Sequence, residues 1–334
     1  WRYRKQDHDH RPFRHPTWNG ESLTNKNLLV FSEQGIGDVV MFATCLPDLL
    51  AQAGQVTLEV DGRMVSLFER SFPGTKVIPR EDLDPIIPVT LPGIDFQICL
   101  ADLPGRYRNH FSQFPRQEKI LTADPERRQK WKSRLNKLGE GLKIGISWFG
   151  GKNLDLQTRR SLPLGHWEQI LKTPDVHFVN LQYGDHQQEL LEIHHRTGVK
   201  INDWSDSDPM KDLDDFSAKI AELDLVISID NATVHFAGGL GTPTWCLLNS
   251  LPDWRWFKGE TSTPWYNSLK LFRQLSPGDW STVVDQVAEE LKTQVKETSH
   301  KIPQRELISQ KSPPQVIVKS SPKNALRPQC AIIT

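Results

Sequence analysis

The chain has 334 residues, a length that favours two domains over one. Hydrophobic residues make up 37% and charged residues 25%, compatible with a globular protein on the polar side. Lys plus Arg and Asp plus Glu both total 41, which excludes a general electrostatic drive toward nucleic acid or anionic lipid and leaves only a local basic patch open.

Residues 1–27 are polar, aromatic and turn-rich, with Pro12, Pro16 and Gly20, and read as an irregular lead-in. Leu28–Phe31 is an apolar β-rich run, and Val39–Ala51 is apolar enough for a buried helix. Val56–Val60 is the next strand, Met64–Ser71 a short helix, and Lys76–Pro79 and Phe96–Leu100 further strands. Asp124 as N-cap, Pro125 at the first helical position and Glu126 behind it predict a helix over 124–138. A second series follows: strand Lys143–Trp148, helix His166–Leu171, strand Val176–Gln182, helix His186–His195, strand Val199–Ile201, helix Asp214–Glu222, and strands Leu225–Ile229 and Thr244–Leu248. Trp280–Val295 is a closing amphipathic helix. Strand and helix alternate in both series, which predicts an α/β protein with parallel sheets. From about residue 297 the Lys, Ser, Pro and Gln content predicts a disordered tail.

Cys45, Cys99, Cys246 and Cys330 form no CxxC pair, which argues against a zinc knuckle or a thiol redox motif. Three lie in apolar segments and read as small core residues, in keeping with a reducing, cytoplasmic setting. No apolar run is long enough to span a bilayer, so any membrane association is peripheral. The chain begins at Trp1 rather than Met and reads as a fragment or a processed chain.

Two junctions carry the chemistry. Leu28–Phe31 leads through Ser32-Glu33-Gln34 to Gly35-Ile36-Gly37-Asp38, where two glycines allow a tight turn and close ligand approach. Val40 stands where a GxGxxG fingerprint needs its third glycine, and a P-loop Lys-Ser/Thr pair is missing, so a plain dinucleotide site is not expected. Asp38 is either a carboxylate able to take a hydroxyl proton or, the reading the local sequence favours, an N-cap of the next helix. The second junction runs from Leu225–Ile229 into Asp230-Asn231-Ala232-Thr233-Val234-His235 and Gly238-Gly239. Short polar residues there cap a helix and leave backbone N–H groups for a diphosphate. His235, four residues past Asn231, either donates to a phosphate or ribose oxygen or is a core histidine. Arg159-Arg160, after the glycine loop Phe149–Asn153, suits a phosphate or a surface ion pair. The aromatic stretch Asp253-Trp254-Arg255-Trp256 with Trp265-Tyr266 reads as packing before it reads as a sugar platform. Asp206-Ser207-Asp208 has the form of a metal-binding DxD but lacks a strand leading into it.

Taken together, EQGIGDVVMFATCLPDL, GISWFGG…RRSLPL, LQYG, DLVISIDNATVHFAGGLGTPTW, DWRW, PWY and LFRQ…GDW resemble the glycosyltransferase family 9 (heptosyltransferase-like) domain. The likeness runs from about Trp1 to Lys296 and is closest to the bacterial branch that follows tetratricopeptide repeats, with 1–27 as connector. It implies a GT-B fold of two Rossmann-like domains facing a cleft: an acceptor domain over 28–123, a linker helix over 124–142 and a donor domain over 143–296. It also implies inverting, metal-independent transfer from a nucleotide-diphospho-sugar to a protein or glycan hydroxyl, with no cofactor. By that resemblance Asp38 in the Gly35–Gly37 turn is the base, and Arg160 stands where the family's donor-binding basic residue is Lys. Asp230, Asn231, Ala232 and His235 fall on its Asp-Thr-Gly-x-x-His motif, from which Asn231 and Ala232 depart. Ser147, Trp148, Gln182 and Tyr183, at the ends of two strands, are expected to border the nucleotide. A non-catalytic nucleotide-sugar-binding or scaffolding module is the second reading.

Overall fold

In the computed structural model residues 11–84, 87–151 and 154–309 are described, with side chains for all of these except 154–156 and 299–309. Lys152 and Asn153 of the glycine loop, the start of the connector, and the tail from residue 310 lie outside them.

The first series gives β1 (Asn27–Phe31), α1 (Ile36–Ala43), α2 (Leu46–Leu50), β2 (Gln55–Val60), α3 (Val65–Ser71), β3 (Lys76–Pro79), β4 (Phe96–Cys99) and one-turn α4 (Pro104–Tyr107). Its sheet has the order β3-β2-β1-β4, every pair parallel, with Val30 in register with Leu58 and Ile98. The apolar segment expected as one helix over Val39–Ala51 starts earlier, at Ile36, and is two helices. Pro47, in the first turn of α2, has no N–H with which to continue α1's ladder.

A linker helix, α5 (Pro125–Asn136), begins as its sequence predicts, with Asp124 accepting from the Arg127 N–H at 2.9 Å. Then come β5 (Leu142–Ser147), α6 (Leu154–Arg160), α7 (Glu168–Leu171), β6 (Val176–Asn180), α8 (Gln187–Thr197), α9 (Leu213–Ala221), β7 (Leu225–Ile229), α10 (Ala232–Leu240), β8 (Thr244–Leu248), β9 (Ser262–Thr263), β10 (Tyr266–Arg273) and α11 (Ser281–Ser309). The second sheet has the order β6-β5-β7-β8-β10-β9, with only β9 antiparallel. Every residue of β7 and β8 is buried, as befits central parallel strands covered on both faces. The strand expected at Val199–Ile201 is instead one parallel bridge between Val179 and Asn202. The segment Arg159–Arg160, read as loop, ends a helix, and α11 continues to Ser309 where disorder was expected from about residue 297. Cys45, Cys99 and Cys246 are buried thiols. Among the described residues no helix is long and apolar enough to cross a membrane.

Both sheets fall in one compact unit, Trp1–Val295, and Lys296–Thr334 forms a second. Inside the first unit α10 is the seam. Thr233 to Leu240 are all buried, and small residues on α10 and α1 let the two helices approach. A Cβ added at Gly37 of α1 would lie 3.2 Å from the Ala232 Cα and 2.9 Å from the His235 Cδ2. The N–H groups of Ile120 and Leu121 both donate to the Gly239 carbonyl at 2.8 Å, fastening the first sheet's outgoing chain to α10. On α10's other side a Cβ at Gly238 would meet the Tyr266 ring at 2.5 Å. Tyr266 is itself buried and bonded to His235, so it cannot swing away. Gly238→Ala is therefore expected to lower stability by about 1–3 kcal/mol, as forced overpacking does. Urea unfolding at neutral pH checks this; an unchanged midpoint would contradict so close an α10–β10 contact.

Candidate active site

In each sheet the chain order reverses beside the first strand of its series. β2 and β4 flank β1, and β6 and β7 flank β5. Parallel sheets leave a crevice at the carboxyl end of such a reversal. β1 opens there into Ser32–Gly35, β5 into Trp148–Gly151, and β7 into Asp230 and Asn231. Topology thus delivers both motif-bearing junctions to ligand-binding positions of their sheets.

Asp38 and the second sheet's charged residues meet in one cluster. The Arg255 Nη1 donates to the Asp38 Oδ1, while its Nε donates to the Asp253 Oδ1 at 3.1 Å. The Arg160 Nη2 lies 3.5 Å from the Asp253 Oδ2, and its Nη1 lies 3.7 Å from the Asp230 Oδ2. Asp38 does not cap its helix: the N-cap is Gly35, without a side-chain bond, and Asp38 sits in the first turn facing Arg255. The local preference for capping yields to a guanidinium 217 positions away in sequence.

Arg255 is 8% exposed. Burial alone would lower its guanidinium, but Asp38, Asp253 and Asp230 raise it above the ordinary value. Burial raises Asp230 against the opposing pull of Arg160 and Arg255. His235, 2% exposed, is held well below the usual histidine value first by burial and then by the two guanidiniums, so its ring is neutral. Its Nδ1 lies 3.0 Å from the Tyr266 Oη, its Nε2 lies 3.5 Å from the Arg255 Nη1, and its ring stacks on Trp256 at 5.4 Å. A guanidinium cannot accept, which assigns Nε2 as the acceptor and puts the proton on Nδ1, toward Tyr266. His235 thus faces Arg255 and holds its orientation.

The other expected residues are placed differently. Asn231 caps α10, its Oδ1 accepting from the Thr233 N–H at 3.0 Å, while its amide donates to the Ser147 Oγ at 2.7 Å and the Phe149 carbonyl at 3.2 Å. The Gln182 Oε1 accepts from the Ser147 Oγ and from the N–H groups of Trp148 and Phe149 at 2.9–3.0 Å. Ser147, Gln182 and Asn231 therefore tie three strand ends to one another and spend their polar atoms doing so. The Trp148 ring is fully buried and donates to Glu189 at 2.8 Å. Tyr183 is half-buried beside Gly151, its phenol raised by burial. Ala232 opens α10 under Gly37, and a Cβ on Gly35 would sit 3.6 Å from the Asp38 Oδ2. The DxD aspartates lie elsewhere: Asp206 is paired with Arg134 at 2.7 Å, and Asp208 accepts from the Met210 N–H. Among the described residues no group of three His, Cys, Asp or Glu side chains is arranged to hold a metal ion. Asp253, Arg255, Trp256 and Tyr266 complete the site; the sequence marked their stretch as aromatic packing or a sugar platform and gave no signal of the charge pairing.

No family model matches the sequence. Protein FlbA of Caulobacter vibrioides is 36% identical over 286 residues, covering 82% of this chain and 48% of FlbA, so the chain spans about half the length of this curated relative. Among solved structures the chain is similar to the Escherichia coli ADP-heptose LPS heptosyltransferase II, with a TM-score of 0.57, 13% identity, and coverage of 82% of this chain and 99% of that one. It is also similar to a family 9 glycosyl transferase from Veillonella parvula, with a TM-score of 0.55, 11% identity, and coverage of 84% and 98%. At such identities the likeness is one of fold: the chain has the α/β, GT-B-like fold of heptosyltransferase structures.

Proposed function

We propose that the chain is an inverting, metal-independent glycosyltransferase that moves a sugar from a nucleotide-diphospho-sugar to a hydroxyl of a protein or glycan. The observation that carries this reading is the ion pair between a carboxylate from the first sheet's series, Asp38, and a guanidinium from the second, Arg255, which is joined through Asp253 to a further guanidinium, Arg160. A base opposite a cationic diphosphate site is what such a transfer needs. Asp38 takes the acceptor hydroxyl's proton as that oxygen attacks the anomeric carbon. The bond from that carbon to the diphosphate oxygen breaks on the opposite face, and its electron pair leaves with the nucleoside diphosphate. Arg160 and Arg255 stabilise the charge that develops there. His235, kept neutral, holds Arg255 by accepting from it rather than competing for phosphate as a second cation. The E. coli neighbour is named for ADP-heptose, which puts ADP-sugars first in a donor screen.

The second reading, a non-catalytic nucleotide-sugar-binding module appended to tetratricopeptide repeats, draws on two observations. Asp38 is ion-paired, and the Asn231 side chain is committed to the protein's own loops.

Calorimetric titration of ADP-, UDP-, GDP- and dTDP-sugars without added metal, joined to a transfer or hydrolysis assay, separates the two. Arg160→Ala is expected to weaken donor binding by at least about tenfold, the loss of one charge-assisted contact. Asp38→Ala is expected to bind donor at least as tightly as wild type and to lower turnover by about 10²–10⁴-fold. Saturable binding with no turnover under any acceptor condition would favour the module; absence of any binding would remove both.

The neutral state of His235 has its own signature. The unfolded chain binds a proton at this histidine below about pH 6.5 and the native state does not, so its contribution to stability is lost as pH falls below that value. Wild type is expected to lose up to about 1.4 kcal/mol per pH unit more than His235→Gln between pH 6.5 and 5. Parallel urea curves for the two proteins would show instead that the ring is protonated in the native state.

A further inference from the structure

The cluster is charged the wrong way for the ligand it is read to hold. Asp38, Asp230 and Asp253 face Arg160 and Arg255, three carboxylates against two guanidiniums, with His235 neutral between them. A diphosphate adds further negative charge. Its entry is favoured if one carboxylate gives up its cation, because like charges in a half-buried site repel.

The geometry points to which one. Asp230 is rooted at the end of β7, within the sheet that would hold the donor, and is 6% exposed. Asp253 caps the short helical turn that carries Arg255 and receives its Nε, so it holds the base of that side chain and moves with it. Asp38 differs on each count. It caps nothing, it comes from the other sheet, and it engages the far Nη1 end of the guanidinium. The Arg255 backbone is fixed as well, its carbonyl accepting from the Trp265 indole at 3.1 Å. The guanidinium is a rigid planar fork, so a small turn of the whole side chain about its stem carries both Nη groups together and can exchange one oxygen acceptor for another; a lysine has no such fork.

Resting on the glycosyltransferase reading above, we propose that Arg255 is a donor-responsive latch and a ligand of the leaving group. In the structure it holds Asp38; an arriving nucleoside diphosphate draws its Nη groups onto phosphate oxygens and releases Asp38 to accept the acceptor's proton. The base becomes available only when the donor is in place, which orders donor before acceptor.

The latch makes a prediction that no merely structural role for Asp38 makes: removing a site carboxylate improves anion binding. The probe is the plain nucleoside diphosphate, ADP, UDP, GDP or dTDP, that binds wild type most tightly by calorimetry without metal. Asp38→Asn, nearly isosteric, is expected to bind it about tenfold more tightly, since one ion pair worth about 1.4 kcal/mol no longer has to open. Arg255→Gln is expected to weaken binding at least about tenfold, and in that background Asp38→Asn is expected to change nothing. Asp38→Ser serves as a second variant should the amide perturb folding, with thermal melting as the control. If wild type binds, Arg160→Ala abolishes binding, and Asp38→Asn leaves it equal or weaker, the glycosyltransferase reading stands and the latch alone is overturned. If no nucleoside diphosphate binds wild type, the donor-site reading falls and the latch falls with it.

Discussion

Two guanidiniums shared among three carboxylates, at the seam between two parallel sheets, are the constraint around which this molecule is arranged. Arg255 and Asp230 are buried and the other three charges half-buried, and a buried charge left unpaired would cost several kcal/mol of desolvation. The pairing draws on both sheets: Asp38 arrives from the helix after β1, Asp230 from the end of β7, Arg160 from the last residue of α6, and Asp253 and Arg255 from a short helical turn after β8. The two helices can bring Asp38 that close only because Gly37 faces Ala232 and His235, and Gly239 faces Val40 and Leu121, with room for no larger side chain at Gly37. The small residues of α1 and α10, the reversal points of the two sheets and the charge cluster are therefore one feature seen at three scales.

The parts of this arrangement that are local were legible in the sequence. The apolar runs of β1, β7 and β8, the Asp124-Pro125 start of α5, and the polar turn at each strand end carry their meaning within a few residues. Asp38, Arg160, Asp230 and His235 formed a set only through the family resemblance, the local sequence favouring a cap for Asp38 and leaving His235 open; in the structure they lie in one charge cluster. Arg255 was not among them, because its partner lies 217 positions away and its neighbours Trp254 and Trp256 advertise packing rather than charge. β10 was missed for a similar reason: Tyr266-Asn267-Ser268-Leu269 lacks a clean alternation, and its place is set by pairing with β8 and β9.

Ser147, Gln182 and Asn231 show the opposite failure. Polar side chains at the carboxyl ends of parallel strands read as ligand-facing, and composition cannot say which way they point. In the structure they satisfy one another and the Phe149 backbone. Their bonds fix the loop after β5 and the start of α10 at the crevice end of the second sheet. A rigid frame around re-aimable guanidiniums suits a site in which one ion pair must open for another to form.

The most direct test is a crystal structure of the chain with a bound nucleoside diphosphate. The account predicts the diphosphate at the carboxyl ends of β5 and β7, contacted by Arg160 and by an Arg255 guanidinium that has left Asp38. A diphosphate bound elsewhere, or one bound there with the Asp38–Arg255 pair intact, would contradict it.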